Sequence, residues 1–277
     1  MRERHPQNAP GDWYVDTRCI DCGAARTAAP GLIIERGGQS VFARQPQTAD
    51  ERMMAWRARL LCPTASVRTE SRARMPDGVF PEQMTTGIYR LGYNAKSAYG
   101  AHSFAIRRRS GNVMVDGPRF TRAVVAQFED WGGLSDILLT HRDDVGDAER
   151  YGEHFAARVW IHEADRAAAP FADNILTGRD PVELDADLTA IPVPGQHRGQ
   201  RCLPLRPALS VHRRFTCLEL RNRGSRSIPP ILLVVVVRAT AIAQAITQLP
   251  VPMGVCRTWW KQVSCVHRDA RAARGAA

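Results

Sequence analysis

The period of apolar positions changes at clear breaks along the chain, and those breaks divide it into elements. From Gly87 short strand-like runs alternate with turns: Gly87-Ile-Tyr-Arg-Leu91, Ser103-Phe-Ala-Ile106, and Asn112-Val-Met-Val-Asp116 after a Ser110-Gly111 turn. Phe120 to Trp131 then places Val124, Val125 and Phe128 on one helical stripe. The unbroken run Ile137-Leu-Leu139 predicts a buried strand ending at Thr140-His141. A strand, turn, strand, helix, strand order that delivers polar residues to a strand's C-terminal end predicts an αβ sandwich with its chemistry on that edge. Upstream, Trp13-Tyr-Val15 and Gly38-Gln-Ser-Val-Phe42 predict strands, and a helix begins near Thr48-Ala-Asp. Residues 188–195 predict one more strand, and after Gly195 no period holds for long.

Bulk composition bounds this picture. The 277 residues are 44% hydrophobic and 24% charged, an ordinary globular balance with room for one large or two modest domains. A net charge of +10 points to nucleic acid or an anionic membrane only if it is spread over a surface. It is not spread: residues 196–277 hold 14 Lys+Arg with only Glu219 and Asp269 as acids, which leaves 24 basic against 26 acidic residues before them. A nucleic-acid partner is therefore not expected. The start of the chain lacks the pattern of a signal peptide, and the apolar run Ile231 to Val237 is far shorter than the roughly 20 residues a spanning helix needs. A cytoplasmic protein without a membrane partner is expected, and its seven cysteines suggest metal or cluster ligation, or free thiols, before disulfides.

Cys19-Ile-Asp-Cys22 is a C-x-x-C pair, and Cys62-Pro63 follows some forty residues on, after the predicted helix. Two thiolates in a tight loop can face one iron–sulfur cube, and a distant Cys-Pro closes the cage while proline stops the helix. With the flanking strands and the Ala29-Pro-Gly-Leu-Ile33 turn, residues 10–70 resemble a bacterial-type ferredoxin. The resemblance implies a cluster held by Cys19, Cys22 and Cys62. Its third cysteine is absent, because position 25 is Ala25. A three-iron cluster, a four-iron cluster with an open iron, or the fold with inert thiols all remain open. A redox or zinc half-site also fits the C-x-x-C but leaves the Cys-Pro unexplained.

Thr140-His-Arg-Asp-Asp-Val-Gly-Asp147 resembles a variant of the metallo-β-lactamase loop T-H-x-H-x-D-H. The resemblance implies metal ligation by His141, Asp143 and Asp147, with Asp147 matched only after a two-residue insertion and Ala148 standing in the last histidine's place. One imidazole among carboxylates suits iron or manganese better than zinc. Such metals lower the pKa of a bound water for hydrolysis, so an ester-, thioester- or lactone-like substrate is implied, along with a redox partner for the ferredoxin module. The same letters also describe a capped helix start, with Asp143 and Asp144 as caps and Asp147 and Glu149 in a first turn. Asp116 matches the strand-end aspartate that orients this loop, and His162 reads as structural.

Residues 188–195 resemble the strand that leads to the family's next ligand, a Gly-His-Thr, where Gly195-Gln196-His197-Arg198 stands instead. Deleting one base from the Gln196 codon restores it. In that shifted frame Leu-Phe-Thr-Gly-Asp places its aspartate over Arg214, and Ala-Gly-His-Gly-Gly places its histidine over Thr258. The expected organisation is α+β: a ferredoxin-like domain over 1–72, the first half of a metallo-β-lactamase-type αββα sandwich over 73–195, and a frameshifted, poorly ordered tail over 196–277. Loss of the second half implies an impaired hydrolase whose first sheet lacks its partner. The alternatives are an iron–sulfur electron-transfer protein without hydrolase activity, and a basic-tailed nucleic-acid-binding protein.

Overall fold

The computed structural model describes residues 3–178, 180–185, 188–194, 209–211 and 231–237. The first domain begins with β1 (Trp13–Val15) and a short α1 (Ala24–Ala28), followed by a hairpin of β2 (Ile33–Arg36) and β3 (Gln39–Phe42). Helix α2 (Ala49–Leu61) comes next, and β4 (Val67–Thr69) returns antiparallel to β1. Helix α2 starts where a capping box starts it: Thr48 Oγ1 accepts the Glu51 N–H, and the Glu51 carboxylate accepts the Thr48 N–H. It stops at Cys62-Pro63, because the residue before a proline is pushed to extended backbone. Its buried face (Ala55, Trp56, Ala58, Leu61) closes a core with Trp13, Leu32, Ile33 and Phe42, in which the Trp13 and Trp56 rings meet edge to face at 5.3 Å.

The body is a seven-stranded sheet in the order β11-β10-β9-β8-β7-β6-β5. Its strands are β5 (Glu82–Thr85), β6 (Ile88–Arg90), β7 (Phe104–Ile106), β8 (Val113–Val115), β9 (Asp136–Leu138), β10 (Arg158–His162) and β11 (Asn174–Leu176). The first four pair antiparallel, whereas β8 to β11 are parallel. Parallel neighbours need crossovers: α3 (Arg122–Asp130) joins β8 to β9, and α4 (Ala148–Phe155) joins β9 to β10. Side chains alternate across the strands, so Ala105, Met114, Ile137, Leu139 and Ile161 face Val124 and Phe128 of α3 and Tyr151 of α4. Ile88, Ile106, Val113, Val115 and Leu138 face the other way.

The uncovered first sheet expected from the sequence is only partly so. Leu184 and Leu188, from β12 (Val182–Asp185) and β13 (Leu188–Pro194), pack on that second face. Strand β13 also pairs antiparallel with β15 (Ile231–Val237), which carries β14 (Leu209–Val211) on its far side. Both β14 and β15 lie in the stretch where no period is legible. The Ile/Val run of β15 is the residue class whose branched side chains fit extended backbone. Positions 196, 214 and 258, like Cys202, Cys217, Cys256 and Cys265, lie outside the described residues. Among the described residues, no helix is long and apolar enough to cross a membrane.

Ion pairs and loop contacts join the domain to the body. Glu82 of β5 binds Arg57 of α2 at 2.8 Å and also Arg90 of β6. Arg119 reaches back to the Leu60 carbonyl near the end of α2, at 3.5 Å. Gly100, in the β6–β7 loop, lies against Cys22.

Candidate functional site

Two places carry chemistry. At the thiol end, Cys19 sits just beyond β1 and Cys62 caps α2, so the first-domain core fixes both; Cys62 is buried in it, with Cys19 and Cys22 packed against it. Cys19 Sγ accepts the N–H of Asp21 and of Ser40, both at 3.4 Å. Cys62 Sγ accepts the N–H of Ser66 at 3.2 Å and lies 3.5 Å from Thr64 Oγ1. Hydrogen bonds to sulfur are among the means by which proteins tune iron–sulfur clusters. The three thiols are free of disulfides, and Ala25 is buried in α1 where a further thiol would stand.

The second place is the edge where the parallel strands end. Asp116 follows β8, Thr140-His141 follows β9 and His162 ends β10, so parallel pairing brings all three to one side of the sheet. Asp116 adopts φ 59°, a conformation disfavoured for residues with a Cβ. It takes both the N–H and the hydroxyl of Thr140 on its carboxylate, at 2.8–2.9 Å. That anchors the loop to β9, the orienting role the sequence assigns to Asp116.

His141 is buried, and its Nδ1 accepts the Asp143 N–H at 3.2 Å. A neutral ring in this bond carries its proton on Nε2. Ligation through Nε2 needs the opposite tautomer, whose Nδ1–H normally donates to a carboxylate or carbonyl. Asp143 Oδ2 stands 3.5 Å from Nδ1, so that tautomer would make Asp143 the partner that orients the ring. Asp147 is occupied elsewhere: it stands at the N-terminal end of α4, and its Oδ2 accepts the Phe120 N–H at 2.7 Å. His162 has both ring nitrogens in use, Nδ1 accepting from Ala164 N at 3.2 Å and Nε2 donating to the Gly178 carbonyl at 2.9 Å.

Among the described residues, no group of three or more His, Cys, Asp and Glu side chains is arranged to hold a metal ion. His141, Asp143 and Asp147 share a loop without converging, and in this arrangement they do not fit a metal. The thiol end differs in donor chemistry: three soft sulfur ligands, two of them bonded by backbone N–H, suit iron–sulfur, although they too are not drawn into a closed cage.

Sequence reasoning missed three participants. Asn94 is fully buried in the β6–β7 loop and holds the Gly100 carbonyl at 3.0 Å and His102 Nδ1 at 3.3 Å. The Tyr151 hydroxyl donates to the Arg119 carbonyl at 2.7 Å, and burial pushes its pKa far above that of an ordinary phenol. Arg119 itself links α2 to the segment next to Asp147. No local motif marks any of them, since each acts across loops distant in sequence.

Residues 15–69 match the family described as the 4Fe-4S single cluster domain of ferredoxin I. No curated protein matches the chain. Among solved structures it is similar to the metallo-β-lactamase GOB-18 from Elizabethkingia meningoseptica, with 17% identity over 45% of this chain and 55% of that one, at a TM-score of 0.33. It is also similar to BJP-1, a subclass B3 metallo-β-lactamase of Bradyrhizobium japonicum, with 17% identity over 40% of this chain and 50% of that one, at a TM-score of 0.32. The native FEZ-1 metallo-β-lactamase from Legionella gormanii gives 15% identity over 43% and 54%, at a TM-score of 0.32. The chain spans about half the length of these structures.

Proposed function

We propose that this chain is an iron–sulfur electron-transfer module joined to a metallo-β-lactamase-type hydrolase body that is catalytically impaired. The carrying observation is the contrast between sulfur acceptors at Cys19 and Cys62, which keep lone pairs for a metal while receiving backbone N–H bonds, and a loop whose His141 Nδ1 and Asp147 Oδ2 are spent on such bonds. Cys19, Cys22 and Cys62 hold the cluster, which when bound supplies one-electron chemistry to a small redox partner. With Ala25 at the fourth corner, a three-iron cluster or a four-iron cluster with one non-cysteine ligand is expected. The chain's own residues set the thiolates with backbone donors and seat them on a packed core.

In the body, Asp116 anchors the loop and His141 takes the tautomer that Asp143 dictates. The remaining divalent ligands, for zinc, iron or manganese, belong to positions 196, 214 and 258, where a one-base slip at codon 196 has replaced them. The parent activity is hydrolysis of an ester-, thioester- or lactone-like substrate in the cytoplasm.

Anaerobic reconstitution with iron and sulfide, read by visible absorbance that bleaches with dithionite and by electron paramagnetic resonance, tests the first half. Ala25→Cys is expected to convert the signal to that of a four-iron cluster, and absence of iron uptake in both proteins would overturn the cluster assignment. Stoichiometric divalent metal together with turnover of ester, thioester or lactone substrates would overturn the impairment. Sequencing the coding DNA around codon 196 tests the slip.

A further inference from the structure

Residues 92–102, between β6 and β7, touch both candidate sites. At one end Gly100, at φ +89°, approaches Cys22 so closely that a Cβ on it would stand 2.8 Å from the Cys22 sulfur and 3.0 Å from its Cβ. In the middle, buried Asn94 grips the Gly100 carbonyl and His102. At the other end Ala95 lies against Gly146, where an added Cβ would meet it at 3.2 Å, and the turn Lys96–Ala98 packs beside the turn Arg142–Asp144. Gly146, at φ +52°, has no slack of its own, because a Cβ there would also collide with the Gly117 carbonyl. Close-packed elements without voids transmit displacement.

We propose that residues 92–102 form a relay through which the chemical state of the Cys22 sulfur sets the conformation of the His141–Asp147 loop. A group added to that half-buried sulfur on the side facing Gly100 has no room unless Gly100 moves, and Gly100 is tethered through Asn94 to residues that abut the loop. The relay requires neither a cluster nor a hydrolytic metal, so its failure is distinguishable from failure of either.

Hydrogen–deuterium exchange on the full chain, with chelator present, tests it. Cys22→Met enlarges the side chain at the contact, Cys22→Ala shrinks it, and helix α2 serves as the internal reference for folding. Exchange across 141–147 is expected to rise about tenfold in Cys22→Met and to stay at the wild-type level in Cys22→Ala. If the larger side chain unfolds the first domain, the folded wild type is instead treated with methyl methanethiosulfonate, which places S–CH3 on the thiolate and releases methanesulfinate, with equally treated Cys22→Ala as control. Unchanged exchange at 141–147 in the enlarged or modified protein, or an equal rise in Cys22→Ala, overturns the relay.

Discussion

The thiol end of the first domain and the loop after β9 both carry a recognisable motif, and in both backbone N–H groups donate to the motif's side chains; what differs is the accepting atom. At the thiol end the accepting atoms are the sulfurs of Cys19 and Cys62. In the loop the side chains serve the backbone: Asp147 takes Phe120 N, Asp116 takes Thr140, and His141 takes Asp143 N. An imidazole nitrogen has a single lone pair, so a metal at His141 Nδ1 must displace the Asp143 N–H, whereas a sulfur that accepts an N–H keeps lone pairs for a metal. The chemistry of the accepting atom thus separates two motifs that hydrogen-bond direction, like sequence, treats as equals.

The largest effect expected from this contrast is all-or-none. Cys62→Ser should abolish the bleachable visible absorbance after reconstitution, while His141→Ala leaves it intact. Loss of the band in His141→Ala, or its survival in Cys62→Ser, breaks the contrast. Next in size is Asp116→Ala, which strands the buried N–H and hydroxyl of Thr140 and should cost about 3 kcal/mol in urea-induced unfolding. Asp116→Asn should recover roughly half of that, since a neutral acceptor of the same shape remains. A cost near zero would mean that the loop is not anchored as described.

Asp147→Ala comes third. Losing one charge-assisted bond to Phe120 N should lower stability by about 1.5 kcal/mol, and the metal content of the purified protein should not change. A drop in metal with stability intact would return Asp147 to the ligand role that its place in the motif suggests.

Much of the architecture was legible because it rests on local rules. The Thr48 and Cys62-Pro63 boundaries of α2 follow from capping and from proline geometry, and the Ile137–Leu139 run appears as β9 with helices on one face. Helix α4 was concealed: Asp147, which stands at its N-terminal end, lies in the supposed metal loop, and the same letters serve either role. Strand β15 was hidden because its apolar run was weighed only as a membrane span within a tail expected to be out of frame, although a strand between two neighbours need not alternate. The tautomer of His141, the hold of Asn94 on Gly100 and the reach of Arg119 to α2 depend on non-local approach, which no spacing along the chain encodes.

The smallest effect applies the same reasoning to a carboxylate for which no chemistry is claimed. Glu51 has its pKa lowered to about 2, first by its hydrogen bond from Arg44 and then by the Gln47 N–H. Because the folded value lies below the ordinary 4.5, the ionised form favours the fold. Its contribution is fully present above pH 4.5 and fades as pH falls toward about 2. Replacing Glu51 with Gln should therefore flatten the pH dependence of stability in that window and leave the neutral-pH shift modest, because both partners are solvent-accessible and screened. An unchanged acid limb in Glu51→Gln, measured by urea unfolding at successive pH values, would mean that the pairing at the start of α2 does not persist in solution.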